Sequence, residues 1–245
     1  MPYPFVGDLD LATVKCSPIF VKDGKPRVDI SLGDGAKIFV QLCEDVDDPF
    51  PCKWALDQVR DDGDKTRRGQ ALLLPDPKVV QALSALDEHI VQEAIKHQKD
   101  WFKSKHPLSE TTIRERYRPI VQGTTDDVPY IKFKVKVHGS KFPTKLHKMN
   151  ADGKIAENKG RVHDLEARGA TMVPILSTFG LYFMGGTSFG ISFQAEEIVY
   201  TSLPKIPLAN FTSKRPVEVT EDADEGDAKC AKVTGDEQGD GASTI

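Results

Sequence analysis

The 245-residue sequence contains few cysteines and no long hydrophobic segment. The four cysteines are Cys16, Cys43, Cys52 and Cys230, and no two of them form a CxxC pair. Neither a zinc site nor a disulfide framework is therefore predicted. We expect reduced thiols, no metal and no cofactor. No apolar run approaches the roughly 20 residues that span a bilayer. The first residues also lack the basic start and apolar stretch of a signal peptide. We therefore expect a soluble, intracellular protein that does not bind a membrane.

Carboxylates are missing from one stretch of the chain and concentrated in another. Residues 130–150 contain six lysines and no Asp or Glu. Residues 216–245 contain nine Asp or Glu against two Lys. This tail therefore carries more negative charge than the whole chain, whose formal net charge is −4, and the part before the tail is net positive. Long blocks of like charge are usually disordered and often act as interaction tails. The pattern indicates a basic folded region that binds a polyanion, followed by an acidic tail.

The regions before and after the centre of the chain have the patterns of β-strands. Apolar and polar residues alternate at 28–32 and 38–42, and the Asp23-Gly24 and Gly33-Asp34-Gly35 segments supply turns. An antiparallel meander is therefore predicted for residues 11–43, and one of its edge strands could pair across a two-fold axis to give a homodimer. Three more strands are predicted at 171–177, 179–184 and 189–200, with a glycine-rich turn between the last two.

A helical insertion at about 76–118 is predicted between these β-rich regions. The polar run at 57–70 is expected to be a loop. Asp76 suits a helix N-cap and Pro77 suits the first helical position. Apolar residues follow at spacings of three or four and predict a helix to about Lys103: Val79, Leu83, Leu86, Ile90 and Ala94. Ser109 can cap a second helix, Glu110 to Tyr117, which ends before Pro119.

Residues 130–138 carry the strongest chemical signal in the sequence. Their alternation predicts a strand with Ile131, Phe133, Val135 and Val137 on one face and with Tyr130, Lys132, Lys134, Lys136 and His138 on the other. Side chains on one face of a strand are about 6.6 Å apart, a spacing that suits the phosphates of a nucleic acid. The absence of nearby carboxylates favours binding over a solubilising role. Further candidate contacts are Lys141, Lys145, Lys148, Arg114 and Arg116.

Aromatic side chains near this basic strand could stack on nucleic-acid bases. Tyr130, Phe142 and Phe39 are the candidates, although burial in the core is the commoner fate of any one aromatic ring. The Gly185–Gly190 segment is followed by a predicted strand rather than a helix, so it matches neither a P-loop nor a dinucleotide-binding loop. His138, His147 and His163 have no catalytic spacing relative to Asp164 or Glu166. An enzyme is therefore not predicted.

The order of these segments resembles the single-stranded DNA-binding protein of T7-type bacteriophages and related proteins of large DNA viruses of eukaryotes. The resemblance covers roughly residues 11–230. It rests on the order of a β-rich start, the inserted helix, the Tyr130-Ile-Lys-Phe-Lys-Val-Lys strand, the Asp152-Gly-Lys loop, the Met172-Val-Pro-Ile-Leu strand, the hairpin from Leu181 to Gln194 and the acidic tail.

The resemblance implies a mainly β, α+β chain: an OB-fold-like antiparallel barrel at 1–203 with the helical insertion, then a proline-containing linker and a disordered acidic tail at 204–245. It implies sequence-independent binding of single-stranded DNA in replication, recombination or repair. Lys132, Lys134 and Lys136 would line the DNA groove, with Tyr130 as a stacking residue. The tail would compete for the groove and contact polymerase and helicase. The protein would act in the cytoplasm if it is of phage origin, and in the host nucleus or at the site of viral DNA replication if eukaryotic.

The tail departs from the resemblance in one respect. It ends in Ala-Ser-Thr-Ile and is diluted by glycine, alanine and lysine, whereas tails of the similar family are denser in acid and end in an aromatic residue. This difference argues against docking of a polymerase by the extreme C-terminus and leaves the competition for the DNA groove intact. Acidic tails also occur on β-domains that bind basic proteins, as histone chaperones do. The alternative is therefore a protein-interaction module whose tail is the binding surface and whose lysine strand only keeps it soluble.

Overall fold

The computed structural model describes residues 3–54, 56, 67–104, 106–123, 127–137, 143–150, 152–157, 160–166, 170–185 and 188–201. Lys141, Phe142, His138 and the predicted tail at 204–245 lie outside these ranges, so the predictions made for them, including the division of the chain at 203, stay predictions. The helices are α1 (Pro77–Lys96), α2 (Gln98–Phe102) and α3 (Glu110–Arg116), and short 3-10 turns lie at Val6–Asp8, Leu11–Thr13 and Val162–Glu166. None of the helices in the described ranges is long and apolar enough to cross a membrane.

The described part of the chain is mainly β, as predicted. The strands are β1 (Lys15–Cys16), β2 (Phe20–Lys22), β3 (Lys25–Val28), β4 (Ile30–Ser31), β5 (Phe39–Gln41), β6 (Phe50–Pro51), β7 (Arg67–Leu73), β8 (Tyr117–Arg118), β9 (Val121–Gln122), β10 (Tyr130–Lys136), β11 (Lys145–Met149), β12 (Ile155–Ala156), β13 (Thr171–Met184) and β14 (Ser188–Thr201). β1 and β4 form a small sheet, and the other described strands form one large sheet.

The large sheet is built around the long β13–β14 hairpin. One edge of β13 pairs antiparallel with β3, β5 and β6, while β14 pairs with β8, β10 and β11 in parallel. The described strands therefore form an open, mixed sheet, and the expectation of a purely antiparallel sheet was wrong. A tight turn can join only antiparallel neighbours, whereas β8, β10 and β11 are connected to β14 through the long strand β13, which runs antiparallel to β14 and brings the chain back. β2 lies at one end of the sheet, and the homodimer through such an edge stays a prediction.

The first helix begins where the sequence predicts. The carboxylate of Asp76 accepts a hydrogen bond from the backbone N–H of Lys78 at 2.9 Å, and Pro77 is the first helical residue. The five apolar residues predicted for one face of this helix are all buried in the core. The helix ends at Lys96 rather than Lys103, because the chain turns at His97 before the short α2, which ends at the left-handed Lys103. Ser109 caps α3, as predicted.

Two other sequence predictions need correction. Residues 67–70 are not in a loop but begin β7, which pairs with β10 over its whole length; the polar residues that concealed this strand include Gln70, whose buried amide donates to the carbonyl of Trp54. The predicted strands at 171–177 and 179–184 are one strand, β13. Its irregularity lies at Gly180, whose φ is +85° and where a Cβ would lie 2.3 Å from the carbonyl oxygen of Val28.

A buried carboxyl group gives the fold a testable dependence on pH. Asp87 of α1 accepts hydrogen bonds from the Tyr117 hydroxyl at 2.5 Å and from the Ile120 backbone N–H at 3.0 Å. Burial nevertheless raises the pKa of Asp87 to about 6 from an ordinary value of 3.8. The folded state thus binds this proton more tightly than the unfolded state does, so the stability that the group contributes is full below about pH 4 and is lost as the pH rises through 6.

We expect Asp87→Asn to remove this dependence. Relative to the variant, the wild-type free energy of unfolding should fall by about 3 kcal/mol between roughly pH 4 and pH 7, because one pKa unit corresponds to about 1.4 kcal/mol. Urea denaturation across this pH range measures the difference. Asp100→Asn, at an exposed position on α2, is the control for loss of a carboxylate. A pH-independent difference between wild type and Asp87→Asn would contradict the assignment.

Candidate nucleic-acid interface

The strand β10 has the two faces that its sequence predicts. Ile131, Phe133 and Val135 are buried in the core, whereas Lys132 is exposed and Tyr130, Lys134 and Lys136 are partly buried. We call the side of the large sheet to which these four residues point the outer face. Because directly paired residues of neighbouring strands point to the same side of a sheet, the strand register identifies the other residues of this face.

One row of residues crosses the outer face over five strands. Phe39 of β5 pairs with Ser177, Ser177 pairs with Gln194, Gln194 pairs with Lys134, and Lys134 pairs with Gly69 of β7. At a strand spacing of about 4.8 Å the row is roughly 19 Å long. A Cβ at Gly69 would meet no atom of the described residues within 4 Å, so none of them fills the space above the β7 end of the row.

Aromatic and cationic side chains meet on the outer face beside β7. The rings of Trp54 and Tyr130 lie edge to face with centroids 5.3 Å apart. The Nζ of Lys53 is 3.9 Å from the Tyr130 ring centroid, and the Nζ of Lys132 is 5.3 Å from that of Trp54. Trp54 is 47% exposed although it is one of the two tryptophans of the chain. We call these four residues the Trp54 cluster.

A second aromatic group lies at the β5 end of the row. The ring centroids of Tyr3 and Phe39 are 5.5 Å apart, and the Nζ of Lys37 lies 5.3 Å from the Phe39 centroid. Phe39 is partly buried, which agrees with its predicted place on the less apolar side of its strand. The structure thus brings two predicted stacking residues, Tyr130 and Phe39, to one face of the sheet.

Two neighbouring glutamates on β14 also belong to the outer face. Ala195 pairs with Leu176 and Glu197 pairs with Ile175, so Glu196 is the extra residue of a β-bulge. A bulge lets two successive residues, here Glu196 and Glu197, lie on the same side of a strand. Ala195 before them and Ile198 after them are both buried in the core on the other side. Glu196 pairs with Lys37 at 2.8 Å and with Lys136 at 3.6 Å.

The ionisation of Glu196 follows from these contacts. Burial alone would raise the pKa of its carboxyl group, but hydrogen bonds from Lys37 and Ser177 outweigh burial and hold the pKa below its usual value. The carboxylate is therefore ionised at neutral pH. The outer face is consequently not uniformly basic, because a negative charge lies beside the central row.

The remaining predicted contacts lie outside the row, on β11 and α3. Lys145 of β11 is the register partner of Glu197, so it belongs to the outer face, and it forms an ion pair with that residue at 2.7 Å. Lys148, three residues further on, lies on the opposite side of that strand. Arg114 of α3 donates two hydrogen bonds of 2.7 Å to Glu88 and one of 2.8 Å to Glu110, and the bond from Arg114 lowers the pKa of Glu88 to about 2. The Cζ of Arg116 lies 5.9 Å from the Phe102 ring centroid. Their roles in binding stay predictions.

Sequence reasoning missed several residues of the outer face. Lys53 and Trp54 lie outside any predicted strand, and Gly69 lies in the predicted loop. The adjacent basic and aromatic pair of Lys53 and Trp54 was the available signal, since exposed tryptophan is uncommon and often marks a binding site. Gln194 could not be assigned to this face without the parallel register of β10 on β14.

No protein-family model matches this sequence, and no curated protein does. Among solved structures, the chain is similar to the single-stranded DNA-binding protein from bacteriophage Enc34 in complex with single-stranded DNA, with 11% identity, a TM-score of 0.42, and coverage of 78% of this chain and 97% of that chain. It is also similar to gp2.5, a single-stranded DNA-binding protein encoded by bacteriophage T7, with 14% identity, a TM-score of 0.42, and coverage of 64% and 90%. Similarity at this level is distant.

Proposed function

We propose that this chain binds single-stranded DNA without sequence preference through its outer face, and that it acts in DNA replication, recombination or repair rather than as an enzyme. The observation that carries the proposal is the Trp54 cluster. An exposed indole and a phenol can stack on unpaired bases, while the ammonium groups of Lys53 and Lys132 can pair with the phosphates that join them. A duplex keeps its base faces stacked and does not offer them to such rings.

The row between the two aromatic groups supports the same proposal. Lys134 belongs to the row that leads from Gly69 to Phe39. Lys136 lies beside the row on the same strand, about 6.6 Å from Lys134. A strand of DNA that follows this row would contact backbone-binding and base-stacking groups in turn. In this proposal the acidic tail, 216–245, competes with DNA for the same face and recruits polymerase and helicase.

Fluorescence anisotropy of a labelled mixed-sequence oligonucleotide tests the proposal. We expect the single strand to bind more tightly than its duplex. The logarithm of the binding constant should fall linearly with the logarithm of salt concentration, with a slope of about −0.7 for each phosphate contacted. Equal affinity for the duplex, or no binding at low salt, would contradict the proposal and favour the protein-interaction module.

A further inference from the structure

The carboxylate of Glu196 lies among groups that are typical ligands of a phosphate. Its Oε1 accepts hydrogen bonds from the Nζ of Lys37 at 2.8 Å, the Oγ of Ser177 at 2.6 Å and the Nε2 of Gln194 at 3.2 Å. The Nζ of Lys136 lies 3.6 Å from Oε2. Two ammonium groups, a hydroxyl and an amide N–H thus converge on one anionic group of the chain itself.

Two further observations distinguish this arrangement from a chance ion pair. Ser177 and Gln194 are completely buried although they belong to the outer face, and the Oε1 of Gln194 has no hydrogen-bond partner among the described residues. Glu196 is also the extra residue of the bulge, so its side chain is added to the row without a register partner of its own. The polar groups beneath it therefore form a site that the register of the sheet builds and that Glu196 fills.

We propose that Lys37, Lys136, Ser177 and Gln194 form a phosphate-binding site on the outer face, and that Glu196 occupies it until a phosphate of single-stranded DNA displaces the carboxylate. This inference rests on the proposed function, because the phosphate is that of bound DNA. Glu196 is then a built-in competitor that lowers the affinity for DNA.

The position of the site beside Phe39 agrees with this role. Lys37 contacts both the Glu196 carboxylate and the Phe39 ring, so a nucleotide whose phosphate enters the site has an aromatic ring next to it. The side chain of Glu196 is 24% exposed, and this opening lets the carboxylate turn outward when the phosphate enters. Displacement breaks the two ion pairs with lysine, and new pairs with the phosphate replace them.

The full-length Glu196→Gln variant tests the inference, because glutamine keeps the size of the side chain and removes its charge. We expect it to bind a labelled single-stranded oligonucleotide about fivefold more tightly at low salt, since two partly exposed ion pairs no longer have to be broken. The salt slope should steepen by about 0.7 for each lysine released. Lys136→Ala should weaken binding more in the Glu196→Gln background than in the wild type.

Glu93→Gln is the matched control. Glu93 is a partly buried glutamate of α1 that pairs with Lys96 at 2.7 Å, so its replacement also removes one negative charge and one close ion pair with lysine. We expect an affinity change of less than about twofold, because neither Glu93 nor Lys96 belongs to the outer face. An equal gain in DNA affinity from both variants, or no gain from Glu196→Gln, would overturn the inference. The proposed function would still stand if the wild type binds single-stranded DNA.

Inorganic phosphate separates failure of the site from failure of the proposed function. In Glu196→Gln, phosphate should cause a saturable shift of the Ser177 amide resonance in an NMR titration, and in the wild type it should cause a much smaller one. If neither the wild type nor Glu196→Gln binds DNA but their responses to phosphate differ in this way, the phosphate site stands and the proposed function is wrong. If phosphate causes no shift in the variant, the site itself is wrong.

Discussion

Replacing Trp54 with alanine is expected to weaken binding of a single-stranded oligonucleotide by roughly 5- to 150-fold. Stacking of one base on an aromatic side chain contributes about 1–3 kcal/mol, and Trp54 is the large aromatic residue of the outer face that is most exposed among the described residues. Its loss also removes a ring contact of Lys132 and of Tyr130. Fluorescence anisotropy at a fixed, low salt concentration measures the change.

Tryptophan fluorescence provides an internal control for this prediction. The other tryptophan, Trp101, is buried in α2 and stacks on His97 with ring centroids 5.7 Å apart. In the Trp101→Phe variant, where Trp54 is the remaining tryptophan, DNA should quench the emission strongly. In Trp54→Ala, where Trp101 remains, DNA should leave the emission nearly unchanged. Quenching of Trp101 alone, or full affinity of Trp54→Ala, would show that the Trp54 cluster is not the stacking site.

The sequence was sufficient for elements whose pattern depends on local chemistry. The Tyr130–Lys136 strand has an alternation that only a half-buried strand satisfies, and its lysine face was predicted correctly. The first helix was located by a capping carboxylate and a proline, which act within one turn. In both cases the residues that determine the structure are neighbours in the sequence.

Elements that depend on distant partners could not be predicted in the same way. The Arg67–Leu73 strand is polar in its first half and is held by pairing with residues 130–136, which lie far along the chain. The parallel pairing of β10 with β14 brings Gln194 and Glu196 beside the lysines, and no local pattern encodes that register. The carboxylate in the basic face was therefore missed, since the absence of acidic residues in 130–150 concerns sequence neighbours only.

Replacing Gly69 with glutamate is expected to weaken binding of single-stranded DNA by about tenfold or more. Gly69 pairs directly with Lys134, and directly paired side chains have Cβ atoms about 5 Å apart. The new carboxylate would attract Lys134 and repel the phosphates that follow the row, and such like-charge contacts cost several kcal/mol in a binding interface. The salt slope should become shallower, because fewer phosphates are neutralised.

The site of this substitution makes the result easy to interpret. A Cβ at Gly69 meets none of the described atoms within 4 Å, and the φ of Gly69 is not in the left-handed region, so the fold should tolerate a side chain there. A non-glycine residue within a strand should even raise the free energy of unfolding by roughly 0.5–1 kcal/mol. Gly69→Gln is the matched control, since it adds a side chain of the same size without charge and should keep most of the affinity for DNA.

The same pair of variants distinguishes the proposed function from the protein-interaction module. If an acidic tail were the binding surface, a carboxylate added beside Lys134 would leave the affinity for a basic partner, such as a lysine-rich peptide, unchanged or slightly higher. Gly69→Glu and Gly69→Gln would then have the same affinity for DNA. If the glutamate variant alone loses affinity for DNA, and both variants are at least as stable to unfolding as the wild type, the nucleic acid binds on the outer face. Equal loss in both variants would instead indicate that bulk at Gly69 obstructs the row.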